Sequence, residues 1–130
     1  MTVRSELTPR VEAMAALLGV PMAYENVAFT KPANFGTFIE MFIVPAITLN
    51  ATVDGTRQRE HGLMQINIHT RQGVGTAQAD SVLAAIKAAF PAVPKTGNVS
   101  IESVPSAKSA LVSPDGYRVV PVVIPYRLEV

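Results

Sequence analysis

The sequence of 130 residues contains no cysteine. Disulfide bonds and thiolate metal sites are therefore excluded, and the composition is compatible with a reducing compartment. The length is that of one ordinary domain, which can bury a core without covalent cross-links. We therefore expect a single domain spanning residues 1–130.

Long apolar runs are also missing. The longest stretches, near Met41–Leu49 and Val119–Pro125, contain proline and fall well short of the roughly 18 residues that a membrane helix requires. The first ten residues, MTVRSELTPR, carry charges with no apolar run behind them. We therefore expect neither a signal peptide nor a membrane partner.

Charge is scarce and balanced. Eleven basic and ten acidic residues give a net charge of +1, and charged residues make up 16% of the chain, against roughly 25% in typical domains. Proteins that bind nucleic acid through its phosphates normally show a basic excess. A small domain with few charges is expected to bury part of its surface against partners.

Catalytic and metal-binding motifs are not found in the sequence. There is no G-x-S-x-G, no H-E-x-x-H and no EF-hand loop, which are the patterns of hydrolases, zinc peptidases and calcium sites. His61 and His69 fall on one predicted strand, about 26 Å apart at 3.3 Å per residue, so they cannot share a metal within one subunit. We therefore expect no catalytic residue, no metal site and no cofactor.

The glycine-rich segment Arg71–Thr76, RQGVGT, precedes a predicted helix, and a turn of this kind at a helix N-terminus can bind phosphate. It lacks the Lys-Ser/Thr of a Walker loop and the G-x-G-x-x-G pattern. A simple turn from a strand into a helix is the better interpretation.

The most informative stretch is Thr37–Thr70, which is typical of a long β-hairpin. Asp54-Gly55 is a preferred centre for a two-residue type I′ turn. That turn predicts a register in which Ile43 faces Ile66 and Glu40 faces His69. Alternation of side chains then places one apolar set on a single face: Met41, Ile43, Pro45, Met64, Ile66 and Ile68.

The opposite face of the hairpin is mixed. Phe38, Phe42 and Val44 lie there beside polar residues, namely Glu40, Gln65, Asn67 and His69. A fully solvated face would not be expected to carry two phenylalanines. Either the chain's own termini cover this face or another subunit does, because contiguous exposed apolar patches usually mark interaction sites.

Two helices are predicted. The first is Thr8–Leu18, with Thr8 as N-cap and Pro9 in the first turn, or it begins earlier with a kink at Pro9; Gly19 ends it. The second runs from Thr76 to about Phe90 and is expected to pack on the Ile43/Ile66 face.

The remaining segments are predicted to be loops and strands. Met22–Gly36 is expected to be an extended loop with room for a short strand at Asn26–Thr30. The last forty residues are expected to be β, with strands at Asn98–Val104, Lys108–Ser113 and Tyr117–Leu128. Pro121 and Pro125 remove donors from one edge of the last strand, which indicates an edge strand or one whose second neighbour pairs only locally. The fold class is therefore α+β: a mostly antiparallel, mixed sheet with a long β-hairpin and two helices packed on one face.

Several segments in this order resemble a known family. They are YENVAFTKP, FIEMFIVPA, the segment HGLMQINIHTRQGVGTAQADSVLAAIKAAF with its strand, glycine turn and helix, and the closing VPVVIPYRLEV. The chain resembles the tail terminator (tail completion) proteins of long-tailed bacteriophages over about residues 1 to 130. The matching features are patterns of fold rather than of chemistry.

The resemblance implies a structural virion protein without catalytic activity. Such proteins form a ring, usually hexameric, at the head-proximal end of the tail tube, where they end tube polymerisation and present the head-joining surface. The implied partners are further copies of the chain, the tail tube protein and a head-completion or connector protein. DNA only passes through the channel, and assembly takes place in the host cytoplasm.

The candidate contact residues for a neighbouring subunit or the tail tube lie on the mixed face, in the charged hairpin tip and at the start of the glycine-rich segment. They are Phe38, Phe42, Arg57, Arg59, Glu60 and Arg71. The tip is either solvated or a docking arm. Two alternative functions stay open: another head–tail connector, neck or tail-tube-like structural protein, and a non-phage enzyme subunit or small-molecule binder.

The charged tip can be tested directly. Replacing Arg57 and Arg59 together by glutamate is expected to leave the fold intact and to weaken docking to the tail tube or to a neighbouring subunit, because the tip carries the densest charge cluster of the chain. Normal rings and normal tail lengths in the double variant would contradict a docking role.

Overall fold

The structure is a computed structural model that describes residues 3–33, 36–50, 58–91 and 99–129. Within these ranges it contains two helices and a seven-stranded mixed sheet, which confirms the predicted α+β class. The elements in chain order are α1 Val3–Leu18, β1 Met22–Tyr24, β2 Phe38–Asn50, β3 Gln58–Arg71, α2 Ala77–Ala89, β4 Val99–Ile101, β5 Ser106–Ala107, β6 Leu111–Val112 and β7 Tyr117–Glu129.

The three long strands form the centre of the sheet. The order is β1-β2-β3-β7-β4, and β5 and β6 pair with the same outer edge of β7 as β4 does. β1 is parallel to β2, and all other pairs are antiparallel. The predicted hairpin is confirmed as β2 and β3, although the Asp54-Gly55 turn lies outside the described residues.

Side-chain alternation divides the sheet into a helix-covered face and an open face. On the helix-covered face Ile66, Ile86 and Phe90 are fully buried, so α2 packs against β3 as expected. Alternate residues of β7 are also buried there: Val120, Val122, Ile124, Tyr126 and Leu128. One continuous core therefore joins the two helices to the three long strands.

The predicted hairpin register is wrong. Ile43 pairs with Met64 and Met41 pairs with Ile66, each two positions from the expected partner. A shift of two residues keeps every side chain on its face, so the predicted faces survive. The register changes again between Pro45 and Ile47, where β2 carries an extra residue as a β-bulge.

Helix α1 begins at Val3 and contains Pro9 in its interior, so Thr8 is not its N-cap and the earlier start is the correct alternative. Its end matches the prediction. Gly19 has φ +68°, and the amides of Gly19 and Val20 donate to the carbonyls of Ala16 and Ala15 at 3.2 and 3.1 Å. This is the Schellman arrangement, in which a left-handed residue satisfies the last carbonyls of the helix.

The short strand expected at Asn26–Thr30 is found earlier, as β1 at Met22–Tyr24. β1 covers only the first part of β2's outer edge. Directly beyond it, the Glu25 carboxylate accepts the Ile43 amide at 3.1 Å. A side chain therefore takes the place of the next strand residue, and β1 ends at a turn where Asn26 has φ +58°.

Prolines restrict pairing on both edges of the long strands. The carbonyls of Pro121 and Pro125 accept amides from Lys108 and Glu102 at 2.8 and 3.0 Å, so the prolyl nitrogens face the same edge, away from β3. β7 thus pairs along its whole length with β3 and only locally with β4, β5 and β6, as the prolines predicted. Pro45 lies two residues after Ile43, so it removes a donor from β2's outer edge, which discourages uncontrolled strand pairing.

Close backbone packing at Gly62 fixes the junction of the long strands. A Cβ atom built on Gly62 would lie 2.4 Å from the Tyr126 hydroxyl and 2.9 Å from the Val44 carbonyl oxygen. The buried Tyr126 ring therefore occupies the space that a side chain would need.

Neither described helix is long and apolar enough to cross a membrane.

Burial of the Ile66 side chain predicts a large effect of charge at this position. Ile66→Asp is expected to abolish the cooperative urea transition, because an unpaired buried charge costs several kcal/mol against a total stability of about 5–15 kcal/mol. Leu63→Asp is the matched control on the same strand, since Leu63 is 38% exposed and faces the other way. A folded Ile66→Asp variant with unchanged circular dichroism would contradict the assigned faces.

Candidate interaction surface

The open face of the sheet carries rows of residues from β2, β3 and β7. The cross-strand pairs define three rows toward the hairpin tip: Val44–Leu63–Pro125, Phe42–Gln65–Val123 and Glu40–Asn67–Pro121. The next row is Phe38–His69–Val119. Apolar residues thus dominate the rows nearest the tip, and polar residues occupy the middle of the face.

The polar middle of the face is a connected hydrogen-bond network. The Gln65 amide donates to Asn67 at 2.8 Å, and Asn67 donates to the Glu40 carboxylate at 2.9 Å. His69 Nε2 lies 2.8 Å from the same carboxylate oxygen. Glu40 pairs with Asn67 in the ladder rather than with His69 as predicted, but its carboxylate reaches His69 diagonally.

The network sets the charge of Glu40. Partial burial alone would raise the pKa of this carboxyl, but hydrogen bonds from Asn67 and His69, together with the nearby charge of Lys31, hold the pKa below its ordinary value. A carboxylate that accepts several hydrogen bonds is favoured in its charged form. Glu40 therefore presents a fixed negative charge in the row next to Phe42, on the side away from the hairpin tip.

The far end of the face is covered by the chain itself. Phe38 is 2% exposed and stacks on His69 with ring centroids 4.2 Å apart. The ring centroid of Phe29 lies 5.0 Å from that of Phe38. Lys31 Nζ lies 5.5 Å from the centroid of the Tyr117 ring, and Lys31 forms an ion pair with Asp115. Among the described residues, this cover comes from the segment after β1, whereas the sequence predicted either the termini or another subunit.

Phe42, Val44 and Leu63 are neighbouring apolar residues of β2 and β3 on this face, and we call them the sheet patch. Val44 and Leu63 are paired across β2 and β3 and are 44% and 38% exposed, while Phe42 is half-buried. Val123 and Pro125 flank them on β7 and are half-buried. The sheet patch forms a continuous apolar surface beside the Glu40 network.

The other candidate contact residues are widely separated. Arg71 is exposed at the opposite end of β3 from Arg59, a separation of about 40 Å at 3.3 Å per residue. Arg57 lies outside the described residues, and of Arg59 and Glu60 only the backbone in β3 is described. The structure thus keeps Phe42 on an accessible surface, buries Phe38 and separates Arg71 from the charged tip.

The glycine-rich segment joins β3 to α2 as a turn. Gly73 and Gly75 have φ of +83° and +88°, values that favour glycine, and the Gln72 amide donates to the Gly116 carbonyl at 3.1 Å. Thr76 is the N-cap residue, although its side chain makes no capping hydrogen bond. The conformational demands of this turn account for its glycines.

The two histidines lie in separate contacts. His61 Nδ1 is 3.0 Å from Glu102, and His69 is held by Glu40. Among the described residues, no group of three or more potential ligands could hold a metal ion.

A second accessible apolar surface was missed by the sequence reasoning. It is a groove between α1 and α2 on the outer side of the helices. Leu17, near the end of α1, is one of its lining residues and is 90% exposed. The residues that line it are Arg10, Ala13, Met14, Leu17, Leu18, Ala85, Ala88 and Ala89, which we call the helix groove. Spacing along α1 could have revealed it, because Arg10, Ala13 and Leu17 form a stripe adjacent to the buried one.

The described residues form an α+β protein with a helix-covered sheet face, a partly open face, and the sheet patch and helix groove as accessible apolar surfaces. A sequence model of the phage tail terminator protein family matches residues 2–126. The chain therefore belongs to the phage tail terminator family, which confirms the resemblance seen in the sequence. A structural role in the phage tail, as part of the virion, follows from that family.

Solved structures support the same fold. One, whose name states no function, is 26% identical with a TM-score of 0.75, and the match covers 97% of this chain and 92% of that chain. Another, described as the virion of a native gene transfer agent particle, is 18% identical with a TM-score of 0.62, and the match covers 98% and 95% of the two chains. At this identity the second likeness shows the fold alone. No curated protein matches the chain.

The Glu40 network predicts a pH-dependent contribution to stability. Because the folded-state pKa of Glu40 is lowered, its contribution is present above the unfolded-state pKa and is lost as the pH falls through the folded-state value. Glu40→Gln is therefore expected to lower the free energy of unfolding at pH 7, with the difference from the unmodified chain shrinking in acid. Urea titrations between pH 7 and pH 3 measure this. A difference that stays constant over the range would contradict the assignment.

Proposed function

We propose that the protein is a tail terminator that forms a closed ring, with six copies as the expected number, on the head-proximal end of the tail tube. The ring ends tube polymerisation and presents the surface to which a head-completion or connector protein binds. Its partners are further copies of itself and the tail tube protein. Assembly takes place in the host cytoplasm, and the ring then remains in the virion.

Membership of the tail terminator family over residues 2–126 carries this proposal. The surfaces of the chain are compatible with it. A ring built from identical subunits needs two different patches on each subunit, because every contact joins one patch to the other. The sheet patch and the helix groove are two such apolar surfaces on one chain.

The charge of the chain suits a channel through which DNA passes. A net charge of +1 offers no strong, uniform attraction for the phosphate backbone. Tight binding of the genome by the channel wall would hinder its passage. A nearly neutral subunit avoids that obstacle.

Native mass spectrometry of the full-length chain, alone and mixed with the tail tube protein of the same virion, tests ring formation. We expect a single closed oligomer, with six copies as the expected number, in at least the mixed sample. A strict monomer in both samples would contradict the ring.

Tube polymerisation tests the terminating activity. Adding the chain to polymerising tail tube protein is expected to shorten the tubes in proportion to its concentration, as judged by negative-stain electron microscopy. The matched control is the Ile66→Asp variant, which lacks the folded core. A length distribution that is the same with and without the chain would contradict the capping role.

A further inference from the structure

The helix groove is an apolar surface with a charge at one end. Its volume is about 490 Å³, and small alanine side chains of α2 form one wall. Leu17 is 90% exposed at the end of α1, where a leucine is costly to leave in water. Ala13 and Ala88 are also exposed.

The charge belongs to Arg10, whose guanidinium is held in place by contacts with residues at the end of α2. Its Nη2 donates to the Ala89 carbonyl at 2.9 Å, and the guanidinium lies 4.6 Å from the centroid of the Phe90 ring. A guanidinium carries five N–H donors, which is more than the bond to Ala89 uses. Arg10 therefore combines a fixed position with capacity for a carboxylate.

The sheet patch has the opposite charge at its end. Glu40 is held ionised by Asn67 and His69, and its side chain is 37% exposed. It occupies the same strand as Phe42 and Val44 and projects from the same face, because all three are even-numbered positions of β2. Lys31 lies near Glu40, and Glu6 lies near Arg10 on α1, so each of these charges already has a neighbour of opposite sign within the chain. Each surface nevertheless combines an apolar region with a charged group held in place beside it, and Arg10 and Glu40 are of opposite sign.

The spacing of these groups also corresponds. Arg10 and Leu17 are seven residues apart on α1, about 10 Å at 1.5 Å per residue. Glu40 and Val44 are four residues apart on β2, about 13 Å at 3.3 Å per residue. An α1 helix laid along the sheet patch can therefore place Arg10 near Glu40 and Leu17 against Val44 and Leu63 at the same time.

The two surfaces lie on opposite sides of the molecule. The groove is on the outer side of the helices, which cover one face of the sheet, and the sheet patch is on the other face. One chain cannot bring them together. A second copy can, and the resulting contact is head-to-tail, which is the kind that closes into rings.

We propose that the helix groove of one copy docks on the sheet patch of the next, with Arg10 facing Glu40 and Leu17 packed against Val44 and Leu63. The proposal rests on the proposed ring and identifies the two surfaces that build it. It leaves the charged hairpin tip for contacts outside the ring.

The absence of native cysteine permits a direct cross-linking test with a short bismaleimide, in the presence of tail tube protein. The full-length chain is prepared with Leu17→Cys, with Leu63→Cys and with both. Each single variant is expected to stay monomeric on a denaturing gel, because position 17 meets position 63 and not itself. A mixture of the two single variants is expected to give dimers and nothing larger.

The double variant is expected to give a ladder that ends at the ring's copy number. The matched control pairs Leu17→Cys with Val112→Cys, since Val112 is 62% exposed on the short strand β6. This control is expected to give no ladder. Dimers of the Leu17→Cys variant alone, or a ladder with the control as strong as that of the double variant, would overturn the head-to-tail contact.

Native mass spectrometry of the unmodified chain separates failure of this contact from failure of the ring. A closed oligomer by mass spectrometry without a ladder from the double variant overturns the assigned surfaces and leaves the ring in place. A monomer in every sample overturns the ring, and the contact with it. The Leu17→Glu variant tests the contact without cross-linking. It is expected to abolish the closed oligomer in native mass spectrometry while its circular dichroism stays unchanged. An intact oligomer would overturn the contact.

Discussion

Side-chain alternation along β3, β7 and the part of β2 before its bulge is the constraint on which the rest of the structure depends. On the helix-covered face these strands present isoleucine, valine and methionine, and Ile66 and Ile124 at the centre are fully buried. Two helices are needed to cover so long a ladder, and α1 and α2 provide that cover. On the opposite face the described part of the segment after β1 covers Phe38 and Tyr117. Among the described residues Val44 and Leu63 of the sheet patch stay exposed.

The faces could be predicted from the sequence and the register could not. Alternation has a period of two, so the predicted apolar set of the hairpin stayed on one face although Ile43 pairs with Met64 instead of Ile66. The register depends on the number of residues in the turn and on the bulge between Pro45 and Ile47, and neither leaves a signal in the apolar pattern.

Short and interrupted elements could be predicted from the sequence only in part: the strand β1 was placed too late in the chain, and the start of α1 was left open between two positions. The three-residue strand β1 is too short for a period to be seen, and it is held by pairing with β2 and by Glu25 rather than by its own propensity. Pro9 suggested a helix start, yet the buried positions Leu7 and Val11 on either side carry the helix through it. In both places tertiary contacts outweigh local preference.

The contact surfaces were predicted in part. Phe42 could be predicted as a contact residue because two phenylalanines are unexpected on a solvated sheet face, and Val44 was placed on the same face by alternation. Phe38 followed the same pattern but is covered by Phe29, a contact between residues that only the fold brings together. Leu17 was missed because a leucine in an amphipathic helix is normally assigned to the core, and its exposure depends on where α2 lies beside α1.

The family and the two opposed surfaces fit one physical account. Helices cover one sheet face, the other face is covered only in part among the described residues, and we propose that a neighbouring copy covers the rest. The central proposal is that the protein lies at the head-proximal end of the tail tube. Electron cryomicroscopy of assembled tails, with the head-proximal end reconstructed, tests it most directly. The account predicts a single ring of this fold on the last layer of the tube, with the helices of each subunit facing the open sheet face of the next. Density for this fold at any other place in the tail, or a tube end without such a ring, would contradict it.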